Sequence, residues 1–172
     1  GIGAGLNHDG GGLVVDSCYF YGLNSFAVGV QQGGGGSHGP GNTFTADSVT
    51  VSNCLVDGLT VGGMRYSAAK SRAEEGACQI TLNSYVSNIY KNTIQNTFNG
   101  IGTSGGTNTN ADSTGGSEME IYGNNVLNCS DDGIEVDGSH CIGTLVQNNV
   151  TRNTNSGTSI TPSITGPIFF IG

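Results

Sequence analysis

Charge is scarce in this chain. Only 10% of its 172 residues are Asp, Glu, Lys or Arg, and just five of those are basic. The net charge of −8 argues against nucleic acid and against an anionic membrane surface as partners. No apolar run approaches the roughly 20 residues of a membrane span. No signal-peptide pattern is visible, and the chain opens on Gly rather than Met. Five cysteines are present, but no C-x-x-C, which excludes zinc and thioredoxin-type readings. The Gly run of residues 31–41, QQGGGGSHGPG, lacks a Gly-Lys-Ser/Thr and a following helix, so it is not a phosphate loop. It reads as a flexible insertion, with His38 a solvated loop residue. Tryptophan is absent, which decides nothing.

What is abundant is Gly, 31 residues, and a recurring pattern. The stretch from Tyr122, YGNNVLNCSDDGI, reads as strand, polar turn, strand, second turn and third strand. Its grammar returns in VVDSCYFYG from Val14, VTVSNCLVDG from Val49, NIYKNTIQN from Asn88 and LVQNNVTRN from Leu145. Aligned on the first turn, one column reads Ser17, Asn53, Asn92, Asn124, Asn148. An apolar column reads Tyr19, Leu55, Ile94, Val126, Val150, and a third-strand column reads Phe26, Leu59, Ile101, Ile134, Thr158. The turns step by 36, 39, 32 and 24 residues (53−17, 92−53, 124−92, 148−124). The shortest step is the bare coil, and the longer ones carry insertions. Repeats in register bury apolar positions in a continuous stack that no coil could form alone. This β-branched, in-register pattern also argues against disorder despite the Gly content.

Asn-Asn-Val, a short polar turn and Gly-Ile-Glu-Val together resemble the right-handed parallel β-helix repeat of the pectate-lyase-like superfamily. The resemblance covers nearly the whole chain and implies an all-β solenoid of about five coils. It also implies an asparagine ladder at the first turn of each repeat, matched here by Asn53, Asn92, Asn124 and Asn148, with Ser17 departing from it. A carboxamide both donates and accepts, so stacked Asn side chains satisfy one another. An extracellular or cell-surface location follows from the same resemblance.

Both ends of the chain fall mid-coil. Residues 1–5 resemble a third strand, and residues 166–172, GPIFFIG, a first strand with Gly172 at the turn. The expectation is a segment of a longer solenoid, or a subunit stacking end to end. The second repeat is expected from Phe44 to Gly63 and the third from Cys78 to Ser104. Between them, residues 65–76 form the one helix-like stretch, capped by Ser67 and carrying Tyr66, Lys70 and Arg72. It is either a solvated surface turn or a lid placing cations beside a groove. Cys18 and Cys54 share a column and either pair or stack, and Cys129 and Cys141 bracket the acidic strand. Asn128 and Asn149 fit the glycosylation sequon, as many Asn-rich turns would.

The sharpest local signal is Asp131, Asp132, Glu135, Asp137 and His140, ionisable groups close together in a charge-poor chain. Strand alternation turns Ile134 and Val136 inward and Glu135 and Asp137 outward, about 6 to 7 Å apart. Such a pair suits acid/base chemistry on a glycosidic bond, or, with Asp131, an oxygen site for Ca²⁺. The superfamily resemblance places a saccharide groove on this third-strand face. Ser104, Ser159 and Thr161 match outward positions there, and Tyr66 and Arg72 reach it from the insertion. Against catalysis, the only basic residues on the coils, Lys91 and Arg152, fall off the third strand, and Gly102 and Ser159 flank Glu135. Two functions remain. One is a structural, adhesive or fibre-forming solenoid associated with polysaccharide or with itself. The other is a polysaccharide lyase or glycoside hydrolase.

Overall fold

The computed structural model describes residues 6–7, 12–22, 27–30, 48–58, 64–71, 80–82, 86–103, 119–136, 143–153, 155–160 and 167–172. Strand β1 (Leu6–Asn7) precedes five three-stranded coils. The first coil is β2 (Leu13–Asp16), β3 (Tyr19–Tyr21) and β4 (Val28–Val30). The second is β5 (Ser48–Ser52), β6 (Leu55–Asp57) and β7 (Ile80–Leu82), with helix α1 (Tyr66–Ser71) inserted before β7. Then come β8 (Val86–Tyr90), β9 (Thr93–Gln95) and β10 (Ile101–Thr103), followed by β11 (Met119–Tyr122), β12 (Asn125–Leu127) and β13 (Asp132–Glu135). The last coil is β14 (Thr144–Gln147), β15 (Val150–Arg152) and β16 (Ser156–Ser159), and β17 (Ile168–Ile171) begins a further turn.

Equivalent strands of successive coils stack into three parallel sheets. First strands run β2-β5-β8-β11-β14-β17, second strands β3-β6-β9-β12-β15 and third strands β1-β4-β7-β10-β13-β16. This is the stacked parallel β-solenoid expected from the repeat, and β17 takes the first-strand role read for GPIFFIG.

Alternation builds the interior. In β8 and β11 every second residue is buried, and Ile89 and Ile121 lie in register between Val51 and Val146. Val56, Ile94 and Val126 stack from the second strands, and Val28, Ile101 and Ile134 project from the third, all fully buried. A fully buried side chain of this size contributes about 1.5 to 3 kcal/mol. The third strand is entered through a pinch. A Cβ on Gly100 would stand 2.5 Å from the Gly133 carbonyl, and one on Gly133 would stand 2.6 Å from the Gly157 carbonyl. Only Gly fits at Gly100 and Gly133, whereas the equivalent place in the first coil is taken by the buried Ala27.

The ladder is real, with Asn92 and Asn124 as rungs as expected, but Asn149 takes the place expected of Asn148 and Cys54 that of Asn53. Asn92 Nδ2 donates to Asn124 Oδ1 at 3.0 Å, and Asn124 Nδ2 to Asn149 Oδ1 at 2.9 Å. Each oxygen also takes a backbone N–H from the preceding coil: Cys54 to Asn92, Asn92 to Asn124 and Asn124 to Asn149. The column continues as Cys54, whose sulfur receives the Cys18 N–H at 3.5 Å. Asn53 and Asn148 stand one residue earlier, in the left-handed region with φ of 52° and 51°. Ser17, Lys91 and Gly123 share that role. The true ladder steps are 36, 38, 32 and 25 residues. The apolar column shifts likewise, since Tyr19 and Leu55 pair with Thr93, Asn125 and Val150 on the outer face, while Ile94 and Val126 point inward.

Two further boundaries differ from expectation. The third-strand column contains Val28 and Ile80, which pair with each other and lead to Ile101. Phe26 and Leu59 lie outside the described residues. Residues 80–82, expected to open the third repeat, close the second coil. The helix therefore interrupts the second coil rather than separating two coils. It begins at Tyr66, so Ser67 lies inside it rather than capping it.

Candidate functional site

Strand β13 sets the acidic stretch in place. Ile134 and Val136 are fully buried, which anchors the strand and turns Glu135 to the outer face, as alternation requires. Glu135 stands in register with Gly102 on one side and Ser159 on the other.

Each described carboxylate is engaged by a neighbouring coil. Asn99 Nδ2 donates to Glu135 Oε2, while Asn99 Oδ1 accepts the Asp132 backbone N–H at 3.1 Å. Asn155 Nδ2 donates to Asp131 Oδ1 at 2.8 Å. The Ser156 hydroxyl donates to Asp132 Oδ1. The backbone follows the same plan: Asp131 N–H bonds the Phe98 carbonyl and Ser156 N–H the Asp131 carbonyl. Asp132 is buried at 9% exposure and faces the turn interior, whereas Asp131 and Glu135 are half-buried. Charge-assisted bonds of this kind satisfy the carboxylates and tie three coils together.

The same device recurs away from the acidic strand. Asp16 accepts from the Ser17 and Ser52 hydroxyls and from Asn53 Nδ2, and the Ser52 bond in particular holds its carboxyl below the usual value. Asp57 accepts from Gln95 Nε2 and Asn96 Nδ2, both at 2.8 Å. Asn96 in turn accepts from Asn128 Nδ2 at 2.7 Å. At the second turn Thr97 Oγ1 lies 3.1 Å from Cys129 Sγ, and the Cys129 N–H bonds Asn153 Oδ1 at 3.0 Å. Burial pushes the Cys129 thiol up to about 11.

The candidate cation ligands Asp131 and Glu135 are thus held by separate partners. Among the described residues no three His, Cys, Asp or Glu side chains converge on one point. Asp137, His140, Ser104, Thr161 and Arg72 lie outside the described residues. Ser159 is described, and its Oγ is shielded from solvent with no hydrogen-bond partner. Tyr66 projects from α1 with its ring centroid 6.0 Å from that of Phe98, the residue before Asn99. The insertion therefore reaches the turn that holds Glu135.

Of the two sequon asparagines, Asn128 is exposed and has a left-handed backbone. Asn149 is a rung of the ladder, with Nδ2 donating to the Ile121 carbonyl at 2.8 Å. Sequence reasoning missed Asn99, Asn155 and Ser156 as partners of the carboxylates. The signal was present as spacing, since Asn155 and Ser156 each follow their carboxylate by one bare coil of 24 residues. It also missed the outward Tyr90–Tyr122 pair, stacked at 5.0 Å and 7° on the first-strand sheet. No helix among the described residues is long and apolar enough to cross a membrane. No family model, curated protein or solved structure matches the chain.

Proposed function

We propose that this chain is an extracellular structural or adhesive solenoid, fibre-forming in type, whose repeating sides associate with polysaccharide. The single observation that carries the reading is the use of Asp131, Asp132 and Glu135 as bonds between coils. A carboxylate serving as a catalytic acid or nucleophile must be available to substrate. Carboxylates bonded like those at Asp16 and Asp57 serve the stack instead. The pectate-lyase-like resemblance of the repeat supports the saccharide partner and the extracellular location.

A second reading, a polysaccharide lyase or glycoside hydrolase, is favoured by one observation. Tyr66 of the inserted helix packs on Phe98 beside the Asn99–Glu135 bond, where a lid over the third-strand face would sit.

One experiment separates the two. The chain and its Glu135→Gln variant are sedimented with insoluble pectin, xylan, chitin or β-glucan, and the supernatants are assayed for reducing and unsaturated sugar ends. The structural reading expects equal retention by both proteins and no release of sugar. Release by the parent that stops in the variant establishes the enzyme. Absence of retention on every polymer removes the polysaccharide partner.

A further inference from the structure

Cys18 and Cys54 occupy equivalent places in adjacent coils. Each immediately precedes a second strand, and those strands pair with Tyr19 opposite Leu55. Each thiol also points the same way, since Cys18 Sγ lies 3.3 Å from the Asp16 carbonyl and Cys54 Sγ lies 3.0 Å from the Ser52 carbonyl. Cys54 Sγ is already within 3.5 Å of the Cys18 backbone nitrogen. Neighbouring strands lie about 4.8 Å apart, inside the Cα separation of about 4.4 to 6.8 Å that a disulfide spans. The two differ in one respect: Cys18 is partly exposed and Cys54 is buried.

We infer that Cys18 and Cys54 are a dithiol pair that an external small-molecule disulfide oxidises to a covalent link between the first and second coils. Access sets the order of events. The Cys18 thiolate attacks one sulfur of the small disulfide, forming a mixed disulfide and releasing one small thiolate, which takes up a proton. Cys54 then loses its proton and attacks the Cys18 sulfur, expelling the second small thiol. The protein loses two electrons and two protons, and one small disulfide becomes two thiols. Burial holds the Cys54 thiol above its ordinary value, which suits it to the second, intramolecular attack and not to the first.

The link closes a loop between residues 36 positions apart. It fastens the end of the described stack where edge strands β2 and β3 leave Val14, Tyr19 and Tyr21 exposed. Among the described residues β2 and β3 pair on one side only, and strands so placed fray first. This inference rests on the geometry of the two thiols and is independent of the saccharide reading.

The full chain is incubated with oxidised glutathione, remaining thiols are alkylated, and the protein is digested without reduction. The expected product is a peptide joining Cys18 to Cys54. It is accompanied by a rise in Tm of roughly 10 °C that dithiothreitol reverses. In the Cys54→Ser variant, glutathione is expected to remain on Cys18, because nothing expels it. Recovery of both cysteines alkylated in the parent overturns the inference. So does a link from Cys18 to Cys78, Cys129 or Cys141, or a glutathione adduct on Cys18 that persists with Cys54 present.

Discussion

Asn124 donates its side-chain amide to the carboxamide oxygen of Asn149 at 2.9 Å, and its backbone N–H to that same oxygen at 3.0 Å. One side chain thus closes two donors of the coil before it. Asn124 Oδ1 does the same for Asn92. Asn124→Ala would leave the buried Asn92 N–H and the Ile89 carbonyl without these partners, at an expected cost of about 2 to 4 kcal/mol. Asn148→Gly, at the neighbouring left-handed position, should change stability by well under about 1 kcal/mol. Urea melts of the two variants test the placement of the ladder, and equal losses would refute it.

A second expectation concerns the glycine column. A Cβ on Gly133 would fall 2.1 Å from Asn153 Nδ2 and 2.6 Å from the Gly157 carbonyl, and backbone cannot step aside. Gly133→Ala should destabilise by about 3 kcal/mol or yield no folded protein. Gly143→Ala, where nothing lies within 4 Å but φ is +70°, should lose only about 1 to 2 kcal/mol to backbone strain. Thermal melts comparing the two sites measure the difference.

Stability should fall at both extremes of pH, for different reasons. Cys129 has its thiol raised from 9.0 to about 11 by burial, so the folded form keeps a proton that the unfolded chain releases. Its contribution is complete below about pH 9 and is lost as pH rises toward 11, by on the order of 2 kcal/mol. Cys129→Ala should flatten that alkaline limb in denaturant titrations. Asp16, lowered from 3.8 chiefly by the Ser52 hydroxyl, contributes above that value and loses its contribution as pH falls through the lower folded value. Asp16→Asn should shift the acid limb and leave the alkaline one unchanged.

Asn99 joins the backbone of Asp132 to the carboxylate of Glu135. Asn99→Ala should cost about 2 to 3 kcal/mol by leaving the Asp132 N–H unpaired. It should also release Glu135 from its partner. Adding Ca²⁺ to this variant, followed by thermal melting, would show whether the released carboxylate gains affinity for a cation. The expected shift with the parent protein is nil.

The architecture was legible because burial in a solenoid repeats in register. Ile101, Ile134 and the inward turn of Val136 were read directly from alternation. Two of the four expected rungs were misplaced by one residue: Asn148 because Asn148-Asn149 is a doublet, in which amide identity cannot distinguish the rung from the turn residue beside it, and Asn53 because the column there is held by Cys54. The left-handed position takes Ser17, Asn53, Lys91, Gly123 and Asn148, which share no side-chain chemistry. Strand β7 was assigned to the wrong coil because alternation marks a strand without saying which sheet receives it. The partners of the carboxylates were hidden for a related reason. Asn99 and Asn155 contact β13 and the turn before it through neighbouring coils, so their roles depend on coil length.

The column of Gly100, Gly133 and Gly157 has a further consequence. It fixes the gauge of the tube over the last three coils: each of these turns must copy the cross-section below it at that corner, whatever the chain does elsewhere. Variation in coil length, from 25 residues between the last ladder rungs to 38 between Cys54 and Asn92, is therefore displaced to other corners. A foreign peptide spliced between Thr103 and Met119 would leave the template intact. The same peptide at Gly133 would jam it, so the corner at Gly100, Gly133 and Gly157 is closed to insertion.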